Sequence, residues 1–180
     1  MTARRASLCV TGLLLALAYL GAARAEVKLA TAEAMRIEHV VRIDAAPATV
    51  YRSLGKIGRW WAPAHTWSGE SRNLSLDLRA GACYCERWKD GSAEHGRVVM
   101  AVRDKSLRLH AALGPFLDMA VSGVLSFTLA PADTGTTLTV TYRISGDAEH
   151  GFDKFASVVD GVIGEQTARL KRFAETGAPQ

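Results

Sequence analysis

The side chains that could do chemistry gather between His65 and His95: Cys83, Cys85, Glu86 and the two histidines, set among aromatic residues. Cys83 and Cys85 are two apart in a stretch that reads as a strand, so both leave the same face. Three readings stay open: a disulfide, a redox or ligand-facing thiol pair, and two small buried hydrophobes. An extended pair at this spacing separates its Cα atoms by about 6.5–7 Å, at the upper edge of disulfide geometry. Zinc sites space their cysteines more widely and use a second pair that this chain lacks, so no metal and no cofactor is expected.

Tyr84, Glu86 and Trp88 point away from the cysteines. If that face lines a cavity, Glu86 is a carboxylate in apolar surroundings, with a raised pKa suited to acid–base work. Otherwise it pairs with Arg79 or Arg97. His65 lies between the pair Trp60-Trp61 and Trp67, and His95 opens a strand after an Asp-Gly turn. Each could be a general base, a metal ligand or a hydrogen-bonded structural group. Glu86 and His65 are the candidate catalytic residues.

The elements that must position these groups follow from periodicity. Phe152, Phe155, Val159, Val162, Ile163, Leu170 and Phe173 recur at three- and four-residue steps, which predicts a long amphipathic helix from Phe152 to Phe173. Gln166 falls in the middle of that apolar stripe. An amide there must find a partner inside the protein or meet a ligand, because an unpaired buried amide costs about 1–3 kcal/mol. Upstream, the alternation of Ile37, His39, Val41 and Ile43 predicts a strand over 35–44, and Pro47 starts a short helix ended by Gly55. A second short helical piece carries Trp60 and Trp61.

From Ser68 the period is two, with Leu74, Leu76 and Leu78 alternating with polar residues. Further strands are expected over 82–88, 94–102, 106–112, 120–129 and 136–145, separated by turn residues. The order is α+β: one strand, two short helices, about six strands joined by hairpins, then the long helix. An antiparallel sheet curled around that helix leaves a cavity wherever the two do not touch.

The first 25 residues read as a signal peptide. Arg4 and Arg5 precede the apolar run Leu8 to Leu20, and Ala23 and Ala25 are the small residues a signal peptidase reads, so cleavage is expected before Glu26. The apolar run is shorter than the roughly 20 residues of a membrane span. Residues 26–34 show no period and read as a loose lead-in, 35–175 as the domain and 176–180 as a tail. Cleavage removes Arg4, Arg5 and Arg24 and no acid, so the formal charge falls from +4 to +1. No basic patch interleaved with aromatics remains, which argues against a nucleic-acid partner. The product would be periplasmic or secreted, without a stable membrane span, where disulfides are permitted. Nothing in the sequence signals an oligomeric state.

Several strings resemble the helix-grip superfamily called SRPBCC, which takes in START domains, birch-pollen-allergen-like proteins, polyketide cyclases and Hsp90-activator-like domains. They are Trp60-Trp61, His65-Thr66-Trp67-Ser68-Gly69, Asn73-Leu74-Ser75-Leu76, Cys83-Tyr84-Cys85-Glu86, Glu94-His95-Gly96-Arg97-Val98-Val99 and Leu113-Gly114-Pro115. The branch that the chain looks most like is labelled polyketide cyclase or activator of Hsp90 ATPase. The resemblance implies a curved antiparallel sheet of about six to seven strands gripping the C-terminal helix, with a pocket between them for a hydrophobic small molecule. It fixes no reaction.

In such an architecture the pocket-lining candidates are Trp60, Trp61, His65, Tyr84, Trp88, Met119, Tyr142, Phe155, Val159 and Gln166. Trp67 and Phe116 are of the same kind, and Tyr142 and Gln166 are the polar handles. The first functional expectation is an exported protein binding a hydrophobic or aromatic ligand. A cyclase- or dehydratase-type enzyme using Glu86 or His65, and a partner-binding module with a filled interior, are the alternatives.

Overall fold

The computed structural model describes residues 24–180, so the expected signal segment up to residue 23 lies outside the described residues. The chain forms strands β1 (Arg24–Ala30) and β2 (Ala34–Ile43), helices α1 (Pro47–Leu54) and α2 (Ile57–Trp60), and strands β3 (Leu74–Leu76), β4 (Cys83–Trp88), β5 (Gly91–Val102), β6 (Ser106–Ala111), β7 (Ser122–Pro131) and β8 (Thr136–Ser145). It ends on helix α3 (Ala156–Thr176). All eight strands belong to one antiparallel sheet in the order β1-β2-β8-β7-β6-β5-β4-β3. The sheet curls around α3, which is the expected α+β helix-grip arrangement with a slightly higher strand count.

The alternation read in the sequence is the core-facing alternation of the strands. Met35, Ile37, Val41 and Ile43 of β2, Leu107 and Leu109 of β6, Leu125, Phe127 and Leu129 of β7, and Leu138, Val140, Tyr142 and Ile144 of β8 all point at the helix and are buried. Leu170 and Phe173 of α3 close over them, each burial worth about 1.5–3 kcal/mol. Two polar ties fix the helix against β2. His39 Nε2 lies 2.9 Å from Asp160 Oδ1. Gly164 makes room for that imidazole, since a Cβ there would sit 2.9 Å from His39 Cε1. At the far end, Glu175 accepts from the Asp44 N–H at 2.7 Å and pairs with Lys171.

Three segments differ from the sequence reading. Residues 26–30, the first part of the expected lead-in, belong to an edge strand that begins at Arg24 and pairs with β2. The side chains of Glu26–Ala30 are exposed, so no buried face could leave a period to read. The alternation over Leu74, Leu76 and Leu78 yields only the three residues of β3, preceded by a 3-10 turn at Ser71–Asn73. Finally, α3 starts at Ala156 rather than at Phe152. Gly151 adopts φ +63°, a left-handed conformation suited to glycine, and Phe152–Lys154 form a separate 3-10 turn. Among the described residues no helix is long and apolar enough to cross a membrane.

Candidate ligand-binding cavity

Strand β5 is bent by two bulges. Opposite β4, Tyr84 pairs with Gly96 and Cys85 with Glu94, which leaves His95 as the extra residue. Opposite β6, Val98 pairs with Leu109 and Met100 with Arg108, which leaves Val99 unpaired. A bulge bends its strand and re-aims the side chain that it carries. Here it turns His95 inward, to 4% exposure, within a strand whose next neighbour Gly96 is also buried. Gly96 has to be glycine for packing reasons. A Cβ would lie 2.5 Å from the His110 carbonyl oxygen of β6.

Under the first half of α3, which His39 of β2 holds through Asp160, the sheet and helix part toward β5 and the Leu113–Phe116 turn. They enclose a cavity of about 350 Å³, walled by Trp61, the loop Ala64–Trp67, His95, the turn Leu113–Phe116, Tyr142, and Phe155, Val158, Val159, Val162 and Ile163 of the helix region. That volume lies within the range of small-molecule sites, about 300–1,000 Å³. Beyond Ile163, Leu170 and Phe173 pack against the sheet, so the stripe of α3 does two jobs along its length. Its N-terminal half lines a cavity and its C-terminal half fills a core. Trp67 and Val158 stay exposed, 51% and 68%, and mark the mouth.

Glu86 lies behind this wall, fully buried. Its Oε1 accepts the Ser68 N–H at 2.6 Å, and its Oε2 accepts the Trp67 N–H at 3.0 Å and faces His95 Nε2 at 2.9 Å. The loop that carries Trp67 to the cavity mouth is thus tied down by this carboxylate. Burial pushes the carboxyl up, but the hydrogen bonds from Ser68, Trp67 and His95 outweigh it, and the net displacement is downward. This corrects the expected raised pKa of a cavity-facing acid. The partner is His95 rather than Arg79 or Arg97, and Arg97 pairs instead with Glu94. An ionised carboxylate only accepts, so His95 donates from Nε2.

The remaining polar candidates are placed as follows. The Tyr142 ring lines the cavity, but its hydroxyl donates to the Ala111 carbonyl at 3.2 Å and accepts the Leu113 N–H at 3.1 Å. Burial, partly opposed by that second bond, pushes the phenol up to about 12. His65 stands at the cavity edge, half-buried, its Nε2 3.1 Å from Glu165 Oε2. Gln166 is buried next to the cavity without lining it. Its Oε1 accepts the Ala62 N–H at 2.8 Å, while its Nε2 has no partner. That amide borders a separate void of about 10 Å³ between α3 and β7–β8.

Of the apolar candidates, Trp61, Phe155 and Val159 line the cavity. Trp60 is fully buried and donates its Nε1 to the Ser53 carbonyl at 2.8 Å. Tyr84 is buried behind the wall, its ring 5.8 Å from Trp61 and 4.9 Å from His95. Burial first, and then the charge of Glu86, push its phenol well above the usual value. Met119 is half-buried against the core, and Trp88 packs at the β4–β5 turn over Gly91. Sequence reasoning had not put Thr66, Leu113, Pro115, Val158, Val162, Ile163 or His95 among the lining residues. Leu113-Gly114-Pro115 carried a signal, as one of the strings shared with the helix-grip proteins, and Val162 and Ile163 belonged to the helical stripe.

Cys83 and Cys85 form a disulfide on the outer face of β4. Their Cα atoms are 5.3 Å apart, well inside disulfide range and shorter than the extended spacing, so β4 is contracted at Tyr84 directly across from the bulge. The two sulfurs and the Glu94 carboxylate lie within 4.8 Å of one another, a grouping able to ligate a metal if the cysteines were thiolates.

No family model and no curated protein matches the chain. Solved structures do. CalU16 from Micromonospora echinospora superposes with a TM-score of 0.58 at 15% identity, over 88% of this chain and 87% of that one. A conserved protein of unknown function from Enterococcus faecalis gives 0.55 at 17% identity, over 86% and 78%. The di-domain ARO/CYC StfQ of the steffimycin biosynthetic pathway gives 0.54 at 11% identity, over 79% of this chain and 51% of that one. At these identities the likeness is one of fold, and together with the curled sheet and gripped helix it gives this chain a helix-grip fold.

Proposed function

We propose that this protein binds one hydrophobic or aromatic small molecule under the N-terminal half of α3, and that it does so as an exported protein. The observation that carries the reading is the apolar cavity of about 350 Å³, left open by the same helix whose other half packs tightly. Apolar contact with Trp61, Phe116, Phe155 and Val159 supplies affinity, at about 25 cal/mol per Å² of apolar surface buried. The disulfide on β4 and the near-neutral charge of a processed chain support an extracytoplasmic setting without nucleic-acid partners. A hollow interior weighs against the partner-binding module, which needs a filled one.

A second reading, a cyclase- or dehydratase-type enzyme, draws support from the fold it shares with StfQ and from the Glu86–His95 pair at the wall. In that reading Glu86 works through His95, because both of its oxygens are engaged away from the cavity.

Native mass spectrometry of protein purified from its own host compartment tests the binding reading. A discrete added mass of one small molecule per chain is expected. A bare chain that also fails to take up neutral aromatic compounds would overturn it.

A further inference from the structure

His95 is part of the cavity wall, yet its hydrogen bonding is only half complete. Nε2 is committed to Glu86, and among the described residues Nδ1 has no hydrogen-bond partner. Glu86 lies behind the wall, so Nδ1 is the ring nitrogen left over for the cavity that His95 lines, and it is not among the fully enclosed unpaired atoms of the described residues. The other polar side chains of the inner wall are engaged. Tyr142 serves the backbone at Ala111 and Leu113, Thr66 Oγ1 donates to the Pro63 carbonyl, and the Trp61 indole donates to the His65 carbonyl. His65 sits at the solvent edge with Glu165.

The tautomer follows from the surroundings. Glu86 receives two backbone N–H groups besides His95, and these bonds hold its carboxyl below the ordinary value, so near neutral pH it is ionised and accepts from His95. The proton of a neutral imidazole therefore stays on Nε2, and Nδ1, turned away from Glu86, keeps its lone pair on a residue that lines the apolar cavity. The bulge and the Tyr84 ring, 4.9 Å away and tilted by 33°, hold the imidazole in the wall. A buried acceptor without a partner is costly in an apolar setting, and a ligand that can donate to it gains what an isosteric ligand without a donor does not.

We infer that the cavity selects apolar or aromatic ligands that carry a hydroxyl group, read as a hydrogen-bond donor by His95 Nδ1, with Glu86 as the positioning residue that fixes the tautomer. This rests on the cavity being a ligand site. It adds a chemical class of ligand and a single recognition atom.

The test compares 1-naphthol with 1-methoxynaphthalene, which has the same ring system but no O–H, by titration calorimetry against the wild-type protein and His95→Phe. The expected result is that 1-naphthol binds the wild type roughly tenfold to a hundredfold more tightly, and that the preference disappears in His95→Phe while the ether still binds. Equal affinity for the two compounds would overturn this inference and leave the binding reading standing. A preference that survives in His95→Phe would overturn it as well. If neither compound binds the wild type, the cavity reading fails and this inference falls with it. Long-range nitrogen–proton NMR of the wild-type histidines gives a readout independent of any variant. A proton on Nε2 of His95 is expected, and a proton resident on Nδ1 in the neutral ring would contradict the assignment.

Discussion

Glu86 shows how one side chain can serve a site it does not touch. Burial alone would raise its pKa, but two backbone N–H groups and an imidazole favour the ionised form more, so the folded value lies below the ordinary one of about 4.3. The folded state therefore holds this proton less tightly than the unfolded chain does. The contribution to stability is complete above about pH 5, where both states are ionised, and is lost as pH falls through the folded value. Glu86→Gln should flatten the acid limb of a stability-versus-pH curve below about pH 4, and should lower stability near neutrality by roughly 1–3 kcal/mol as one N–H donor loses its acceptor. Denaturant unfolding at a series of pH values measures both. An unchanged acid limb would show that the carboxylate is not held as described. Gln166 behaves differently from a ligand handle. With its oxygen on the Ala62 N–H and its place outside the main cavity, Gln166→Leu should cost about 1–2 kcal/mol while ligand affinity stays within about twofold. A large change in affinity without a change in stability would contradict that placement.

At the scale of elements, β4 and β5 build the polar part of the wall by departing from regular pairing. The disulfide contracts β4 at Tyr84 while the bulge at His95 lengthens β5 opposite, so one irregularity accommodates the other. A Cys83→Ser/Cys85→Ser double variant lets β4 relax toward the extended spacing. It should lose about 1–2 kcal/mol, as the chain-entropy relation gives for so short a loop, and should loosen this corner selectively. Hydrogen exchange should quicken at β4–β5 and hold at β2–β8. Uniform change across the sheet, or none at β4–β5, would show that the bridge does not hold the corner.

These irregular places are also where the sequence was hard to read. Strand β8 runs over 136–145 as its alternation foretold, because every second residue is buried against α3. Strand β1 was hidden because the side chains of Glu26–Ala30 are all exposed. His95 was visible as a candidate but not as a cavity residue, since a bulge breaks the period-two pattern from which a face is inferred. The spacing did place Gln166 inward. Whether inward means cavity or packed core depends on where the sheet and helix diverge, which no local pattern records.

For the molecule as a whole, the fold is a grip packed along the C-terminal half of α3 and hollow beside its N-terminal half, which His39 still ties to β2 through Asp160. Glu175, held to Asp44 and Lys171, and the contacts of Leu170 and Phe173 clamp the C-terminal half of α3 to the sheet. The N-terminal half stands over the cavity, with Val158 and Trp67 exposed at its mouth. Filling that space should therefore remove binding without dismantling the fold, because the packing of Leu170 and Phe173 at the other end of α3 is left in place. The most direct measurement is a fluorescence titration with N-phenyl-1-naphthylamine, a neutral probe that brightens in apolar surroundings, on the wild type and on Val159→Trp, whose new indole would occupy the cavity. The account predicts saturable binding of one probe per wild-type chain, at least a tenfold loss in Val159→Trp, and a thermal midpoint in the variant within a few degrees of the wild type. Equal binding by both proteins, or none by the wild type, would contradict it.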